Sequence, residues 1–410
     1  GMDRPNAPER GFVLGALRGL GGALTLLPWR LSDPARGRRY LKSRLDWGVG
    51  LFELRDDLLD ERAMRRAAVQ LPDERILASF RDPRRTASTR RLVGRRRVLW
   101  DWPVERGRCP FGPAPVLSLH ERPARNSVRD CLRRLGGQDD GRCLLKAAVL
   151  VESFQELLEG DIWRRADPER RQFLPVSPDG RWSWYRLINR RRSRLNFFRE
   201  DDGSSPDQPA LLEWAAMPEG AGEFAAVLGS PVRHSRTPAQ HRGFFGRHGI
   251  AVVAVRMDEK EWGRGGLDVL RDLGLTCAAV TSPLKALAAR TLRRRGAVNT
   301  LAWDKDRGAW AGADTDAKGL AALLSGIDPR RTAVWGGGGT LPALRRVLPR
   351  ARFYSARTGK PRQGPAVFQP EVVVWAVPRR RGEGFRRRPP SAWKPGKVVD
   401  LNYSEDSPGR

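Results

Sequence analysis

Two lysines, one in each half of the chain, stand among residues whose types and spacing could do chemistry. In the second half, Lys285 lies in V-T-S-P-L-K-A-L-A-A, Asn299 in G-A-V-N-T-L and Asp316 in G-A-D-T-D-A-K-G. Each polar cluster follows a short apolar run, the pattern of strand ends and turns that deliver side chains to one cleft. Lys285 offers a proton or a positive charge, Asp316 a carboxylate, and Asn299 and Thr281 neutral hydrogen-bonding groups. A lysine beside an aspartate suits proton transfer to the alkoxide that forms as a ketone is reduced. From spacing alone the alternative is a surface ion pair between helices. In the first half, Lys146 ends the apolar run C-L-L-K-A-A-V, and Glu53, Arg55, Arg81, Asp101 and His120 end other such runs. Arginines, a lysine and a histidine around one mouth suit a ketone that also bears a carboxylate. Burial lowers a lysine's pKa so that its amine can form an imine with the ketone, and histidine can move protons. The alternative for Lys146 is a strand-end lysine that reaches solvent.

Positioning these groups calls for particular elements. From about residue 23, short apolar runs alternate with amphipathic stretches, which predicts parallel βα units and a barrel with its chemistry at the strand ends. A buried first strand is expected over Ala23–Trp29. The polar stretch Glu200–Pro209 leads to an apolar run, Ala210–Met217, that closes the barrel, and Pro218–Gly222 (P-E-G-A-G) marks a boundary. The expected fold is α/β: a shortened TIM-like barrel over 1–217, a substrate domain over 223–318 and a Rossmann-type nucleotide domain over 319–410.

The nucleotide domain carries its own signal. In A-V-W-G-G-G-G-T-L-P, a strand opens through Gly336, Gly338 and Gly339 into a helix, so that backbone N–H groups can approach a pyrophosphate. About twenty residues later, where NAD sites carry an acidic residue, the sequence Y-S-A-R-T-G-K places Arg357, Thr358 and Lys360. Those residues favour a 2′-phosphate, and hence NADP.

Composition narrows the partners. The formal charge of +29 comes mostly from arginine spread along all 410 residues, with short clusters such as Arg190–Arg192 and Arg293–Arg295. No recognition helix, zinc pattern or aromatic RNA-binding motif accompanies them, so a solvated basic surface is expected rather than specific nucleic-acid binding. The four cysteines form no C-x-x-C pair, which indicates neither a disulfide framework nor a structural zinc site. His234, His241 and His248 recur every seven residues, but Pro238 interrupts them and no metal is expected. The glycine-rich segment Gly11–Trp29, broken by Arg18, does not read as a membrane span, and the chain is expected to be cytoplasmic.

V-T-x-P-x-K, G-A-V-N-T and D-T-D-x-x-G, in this order and spacing, resemble shikimate dehydrogenase. A-A-V-L-G-S-P-V-R-H-S-R-T-P resembles the opening strand and loop of that family. The resemblance implies Lys285 and Asp316 as the catalytic pair, with Ser235, Thr237, Thr281, Asn299 and Tyr403 around the substrate. E-L-R-D-D, S-F-R, S-L-H, L-K-A-A, W-S-W-Y-R and S-S-P-D-Q resemble the successive strand ends and lid of type I 3-dehydroquinate dehydratase. That resemblance implies Lys146 as the imine-forming nucleophile and His120 as general acid and base, with Glu53, Arg55, Arg81, Arg186, Ser204 and Gln208 holding substrate. The two together imply a shikimate-pathway fusion. It would dehydrate 3-dehydroquinate and reduce 3-dehydroshikimate to shikimate with NADPH.

The sequence departs from both patterns. Pro103 stands where the dehydratase pattern has a glutamate that orients the histidine, with Glu105 two residues on. Asp207 replaces a glycine of the lid. The intervals from Arg81 to Asp101 and from Asp101 to His120 are short, so one or two outer helices should be reduced to loops. Ala279 and Asp314 replace asparagines, and the chain stops soon after Tyr403, where the family continues into a helix; a trimmed nucleotide domain is expected. The alternative reading is a degenerate relative or pseudoenzyme, with one or both activities lost or the substrate altered.

Overall fold

The computed structural model describes residues 19–401, apart from 95, 202, 220–221, 233–234, 364–367 and 378–387. The chain divides into two units, Gly1–Ala226 with Arg233–Thr276, and Val227–Val232 with Cys277–Arg410.

Eight short strands build the first sheet: β1 (Gly21–Thr25), β2 (Val49–Arg55), β3 (Ile76–Ser79), β4 (Leu99–Pro103), β5 (Val116–Leu119), β6 (Leu144–Ala147), β7 (Arg171–Phe173) and β8 (Phe197–Phe198). All pair in parallel, in the order β7-β6-β5-β4-β3-β2-β1-β8. Side chains return to one face of a strand at every second residue, and six strands use that period in the same way. Ala23, Leu51, Leu77, Leu99, Val116 and Leu144 form an apolar layer with Leu174, Leu195 and Phe197. Two residues further along each strand stand Thr25, Glu53, Ser79, Asp101, Ser118 and Lys146, all buried. A polar layer therefore rests directly on an apolar floor.

Outer helices follow most strands, and their starts are written in the sequence. Asp33 accepts the N–H of Arg36 ahead of the helix Pro34–Asp46, and Asp60 that of Ala63 ahead of Glu61–Gln70. Ser127 and Asp130 form a capping box at Val128–Gly136. The interval between β3 and β4 keeps a helix, Thr86–Val93, whereas only the 3₁₀ turn Val104–Arg106 separates β4 from β5. One crossover is thus reduced to a loop.

Among the described residues no ladder joins β7 to β8. Side chains span the gap instead. Gln172 accepts the N–H of Leu195 at 3.3 Å, Asn196 donates to the Arg186 carbonyl at 2.8 Å, and Arg186 donates to the Pro175 carbonyl at 3.0 Å. The first strand is shorter than the expected Ala23–Trp29, because Pro28 opens a 3₁₀ turn, Pro28–Arg30, that has no place in a ladder. Within Ala210–Met217 the chain forms a helix, Leu211–Ala215, whose buried Trp214 packs on Phe198 and donates to the Leu20 carbonyl at 2.9 Å.

A second sheet comprises β9 (Phe224–Gly229), β10 (Ala251–Arg256), β11 (Leu275–Val280), β12 (Thr300–Asp304) and β13 (Ala309–Ala313), in the order β10-β9-β11-β12-β13. β12 is antiparallel to both β11 and β13. The third sheet is wholly parallel: β14 (Thr332–Gly336), β15 (Arg352–Tyr354), β16 (Val372–Ala376) and β17 (Lys397–Asp400), ordered β15-β14-β16-β17. Leu320, Val334, Leu344, Phe353 and Val374 pack on one face, and Trp335, Tyr354 and Val373 on the other. Strand order reverses at β14, and in such sheets the crevice beyond the carboxyl ends at the reversal receives ligands. Among the described residues, no helix is long and apolar enough to cross a membrane.

Candidate active sites

The first-unit residues singled out from the sequence converge. Glu53, Arg55, Arg81, His120, Lys146, Arg186, Ser204 and Gln208 all line one cavity of about 370 Å³. At its base Lys146 Nζ lies 3.0 Å from Asp101 Oδ2 and 3.8 Å from Glu53 Oε1, with the lysine only 4% exposed. Burial lowers the Lys146 pKa, and the charge of Arg81 adds to that, although Asp101 and Glu53 act the other way. Burial alone would raise the two carboxylates, but Lys146 and Arg81, joined at Glu53 by Arg55, hold both below the ordinary range. Glu53 also accepts from Thr25 Oγ1 at 2.6 Å and Ser79 Oγ at 2.8 Å. A buried amine whose pKa is depressed by its surroundings is the usual condition for a lysine nucleophile.

Above the lysine, Arg81 donates from Nη2 to Asp101 Oδ2 at 3.0 Å, and its Nη1 lies 2.6 Å from His120 Nδ1. Glu105 does not replace the absent glutamate as a partner of the imidazole ring. Its carboxylate accepts the backbone N–H groups of His120 and Glu121. Pro103 ends β4, and the turn Val104–Arg106 that follows carries Glu105 to the chain of β5 rather than to the ring. Arg55 forks onto Asp57, with Nε–Oδ1 at 3.0 Å and Nη2–Oδ2 at 2.7 Å. Arg186 comes from the helix Ser183–Ile188 and is 3% exposed; burial pushes its pKa down to about 10.

The lid residues close on themselves. Gln208 Nε2 donates to Ser204 Oγ at 2.9 Å, and the Ser204 N–H donates back to Gln208 Oε1 at 3.1 Å. Asp207, where the sequence departs from its pattern, is fully buried and fixes this loop to the one before Arg186. It accepts from Ser177 Oγ at 2.8 Å and from the Trp182 N–H at 2.8 Å.

In the second unit, Lys285 begins the helix Lys285–Thr291 and Asp316 begins the helix Asp316–Leu323. Lys285 Nζ pairs with Asp316 Oδ2, while Asn299 Nδ2 donates to Asp316 Oδ1 at 2.6 Å. Backbone bonds set this geometry: the Val298 N–H reaches the Lys285 carbonyl at 3.0 Å, and the Asn299 N–H reaches Ala313 at 3.1 Å. Both members of the ion pair are partly exposed, with side-chain exposures of 19% and 26%. Thr281 directly follows β11, its N–H bonded to the Leu228 carbonyl at 2.9 Å. In the first unit, Ser235 Oγ accepts the Thr237 N–H at 3.2 Å, at the start of the helix Thr237–Gly246. Tyr403 and His234 lie outside the described residues.

β14 opens into the glycine turn with φ of +90° at Gly336, +121° at Gly337 and +44° at Gly338. A side chain at Gly336 would meet Val377 at 2.5 Å, whereas Gly338 and Gly339 border open space. The turn is thus held from beneath and open above, a cradle that fits phosphate oxygens. Arg357, Thr358 and Lys360 form an exposed turn after β15, the strand paired to β14, with the Lys360 carbonyl accepting from Ser355 N–H at 2.9 Å. Arg346, on the helix Leu341–Val347 that follows the glycines, lies 3.5 Å from Asp314, whose Oδ1 accepts the Asp316 N–H at 3.2 Å.

Several members were not assigned roles from the sequence. Asp101 was visible only as a strand end, and Thr25 and Ser79 carry the same two-residue period as Glu53. Asp207 could be seen as a departure, but its backbone partners lie about thirty residues away and leave no local signal.

No family model matches the chain. It is 40% identical over 195 residues to shikimate dehydrogenase (NADP(+)) of Stenotrophomonas maltophilia, covering 44% of this chain and 61% of that protein. It is 34% identical over 161 residues to the Rubrobacter xylanophilus enzyme of the same name, covering 36% and 56%. The chain therefore spans between half and two thirds of the length of these curated relatives. Among solved structures it is similar to dehydroquinate dehydratase and shikimate dehydrogenase from S. pombe, at 16% identity over 90% of this chain and 84% of that one, with a TM-score of 0.34. Shikimate 5-dehydrogenase from Thermus thermophilus in complex with NADP(H) and shikimate gives 24% identity, 44% and 78% coverage and a TM-score of 0.33. Over part of its length, this chain is thus similar in sequence to NADP-dependent shikimate dehydrogenases.

Proposed function

We propose that residues 223–410 reduce 3-dehydroshikimate to shikimate with NADPH, and that the first-unit cavity dehydrates 3-dehydroquinate through an imine on Lys146. The observation that carries the reduction is the chain of contacts from the helix after the glycine turn, Leu341–Val347, to the lysine. Arg346 reaches Asp314, Asp314 holds the Asp316 N–H, and Asp316 pairs with Lys285. The sequence similarity to NADP-dependent shikimate dehydrogenases supports the same reading.

Gly336, Gly338 and Gly339 would hold the pyrophosphate, and Arg357, Thr358 and Lys360 the 2′-phosphate. When bound, NADPH supplies the hydride. Lys285 donates a proton or hydrogen bond to the oxygen that gains charge, and Asp316 keeps that lysine aimed. Asn299 fixes the other carboxylate oxygen of Asp316, so the pair cannot turn away. Ser235, Thr237, Thr281 and Tyr403 are assigned to substrate binding.

In the first unit, Lys146 adds to the ketone, while Arg55, Arg81 and Arg186 bind the carboxylate and hydroxyl groups of the substrate with Ser204 and Gln208. The domains would run 1–217, 223–318 and 319–410, with the product of the first site serving as substrate of the second. Two assays on the full chain test the reading. Loss of NADPH absorbance with 3-dehydroshikimate tests the reduction, and borohydride trapping of 3-dehydroquinate on Lys146 tests the imine. No turnover, and no labelled Lys146, would sink both halves.

A further inference from the structure

The His120 imidazole meets the cavity with Nδ1 2.6 Å from Arg81 Nη1. A guanidinium has only donors and stays protonated in proteins. Nδ1 must therefore offer its lone pair, and the ring proton sits on Nε2. Burial, followed by the charges of Arg81, Lys146 and Arg55, holds the ring pKa well below its ordinary value, so a second proton is not taken up near neutral pH. The surrounding carboxylates do not reverse this. Glu53 is committed to Thr25, Ser79 and Lys146, and Asp101 to Arg81 and Lys146. Glu105 accepts two backbone N–H groups through Oε1, while its Oε2 is buried without a partner among the described residues. Nε2 is itself buried and has no hydrogen-bond partner among the described residues.

We propose that Arg81 is a positioning residue for the reaction at Lys146: it fixes His120 as the neutral Nε2–H tautomer, a donor to the oxygen of a ketone that bears a carboxylate. The proposal rests on the reading of Lys146 as the nucleophile. In the addition step, the lone pair of the neutral lysine nitrogen forms the N–C bond and the carbonyl π pair moves to oxygen, where the His120 N–H receives it as a hydrogen-bond donor. One proton then passes from the new ammonium nitrogen to that oxygen, giving a neutral carbinolamine, and loss of water leaves the imine. His120 keeps its own proton throughout. With Nδ1 held by Arg81 the ring has no lone pair free, so any later removal of a carbon-bound proton by His120 waits on Arg81 leaving it.

Side-chain nitrogen NMR on the full chain tests this, with His120→Gln identifying the signals. Near neutral pH, His120 should show a protonated Nε2 and an unprotonated Nδ1. Arg81→Met keeps volume but removes the donors, and should mix the tautomers or charge the ring. Arg81→Lys, also donor-only, should restore the Nε2–H pattern. Borohydride trapping of 3-dehydroquinate at saturation should slow by about tenfold in Arg81→Met, the worth of one such hydrogen bond, and recover in part in Arg81→Lys. A protonated Nδ1 in the parent, or unchanged spectra in a folded Arg81→Met (checked by circular dichroism), overturns the proposal. Expected spectra with Lys146 never trapped would overturn the imine reading, and with it the role of Arg81 in that reaction, leaving only the tautomer assignment.

Discussion

Asp101 Oδ2 accepts Lys146 Nζ at 3.0 Å and Arg81 Nη2 at the same distance, so one buried oxygen serves two cations. Asp101→Asn leaves the buried Lys146 and the partly buried Arg81 without that charge. Removing one member of a buried pair costs about 3–5 kcal/mol, and urea unfolding should show a loss of that order. The sign with pH follows from the depressed Asp101 pKa. Its contribution is complete above the unfolded value of about 3.9 and is lost as pH falls through the lower folded value. The variant should lack that part of the acid slope.

His120 adds a second window. Its folded pKa lies well below 6.5, so the unfolded chain binds a proton below about pH 6.5 that the folded chain refuses. Stability should fall with decreasing pH there, by up to about 1.4 kcal/mol per unit from this one group. In His120→Gln the slope between about pH 6.5 and 5 should flatten. Denaturant midpoints across pH for both proteins check it, and equal slopes would refute it.

Lys285→Ala and Asp316→Asn each remove half of the proposed proton-donating pair. The turnover number of the proposed reduction should drop by about 10²–10⁴, the span of general acid–base contributions. Trapping at Lys146 should be unaffected, which makes it an internal control for folding.

Arg357→Ala tests the assignment of the 2′-phosphate. A hydrogen bond to a charged group contributes about 1.5–3 kcal/mol, so KM for NADPH should rise roughly tenfold to a hundredfold. KM for NADH should stay nearly constant. Equal changes for both would remove Arg357 from the phosphate site.

Gly336→Ala places a methyl group 2.5 Å from Val377 Cγ2 and 3.0 Å from the Ala376 carbonyl, at a φ of +90°. Overpacking of this kind costs about 1–3 kcal/mol. Cofactor affinity should fall with stability, measured by thermal shift with and without NADPH.

How much of this could be seen in the sequence depends on how local each cause is. The two-residue period that lifts Glu53, Ser79, Asp101 and Lys146 above an apolar floor is a property of single strands, and so is the opening of β14 into glycines. The shortened crossover between β4 and β5 followed from counting residues. The partner of the His120 ring did not. Glu105 has the right strand parity, but the turn after Pro103 sends it to the backbone, and Arg81 reaches the ring across 39 positions of sequence. The end of the first strand was misplaced because apolar residues continue to Trp29, while Pro28 had already ended the ladder. Asp207 looked like damage to a lid motif; its partners, Ser177 and Trp182, lie on a different loop and made it a fastening.

The gap between β7 and β8 has a mechanical consequence. A hoop whose last joint is made by Gln172, Asn196 and Arg186 can widen by giving up a few side-chain bonds, with every backbone ladder intact. Arg186 belongs both to that joint and to the cavity wall, so an anion that engages its guanidinium would tug on the clasp itself. One side chain thus belongs to both the joint and the wall of the cavity.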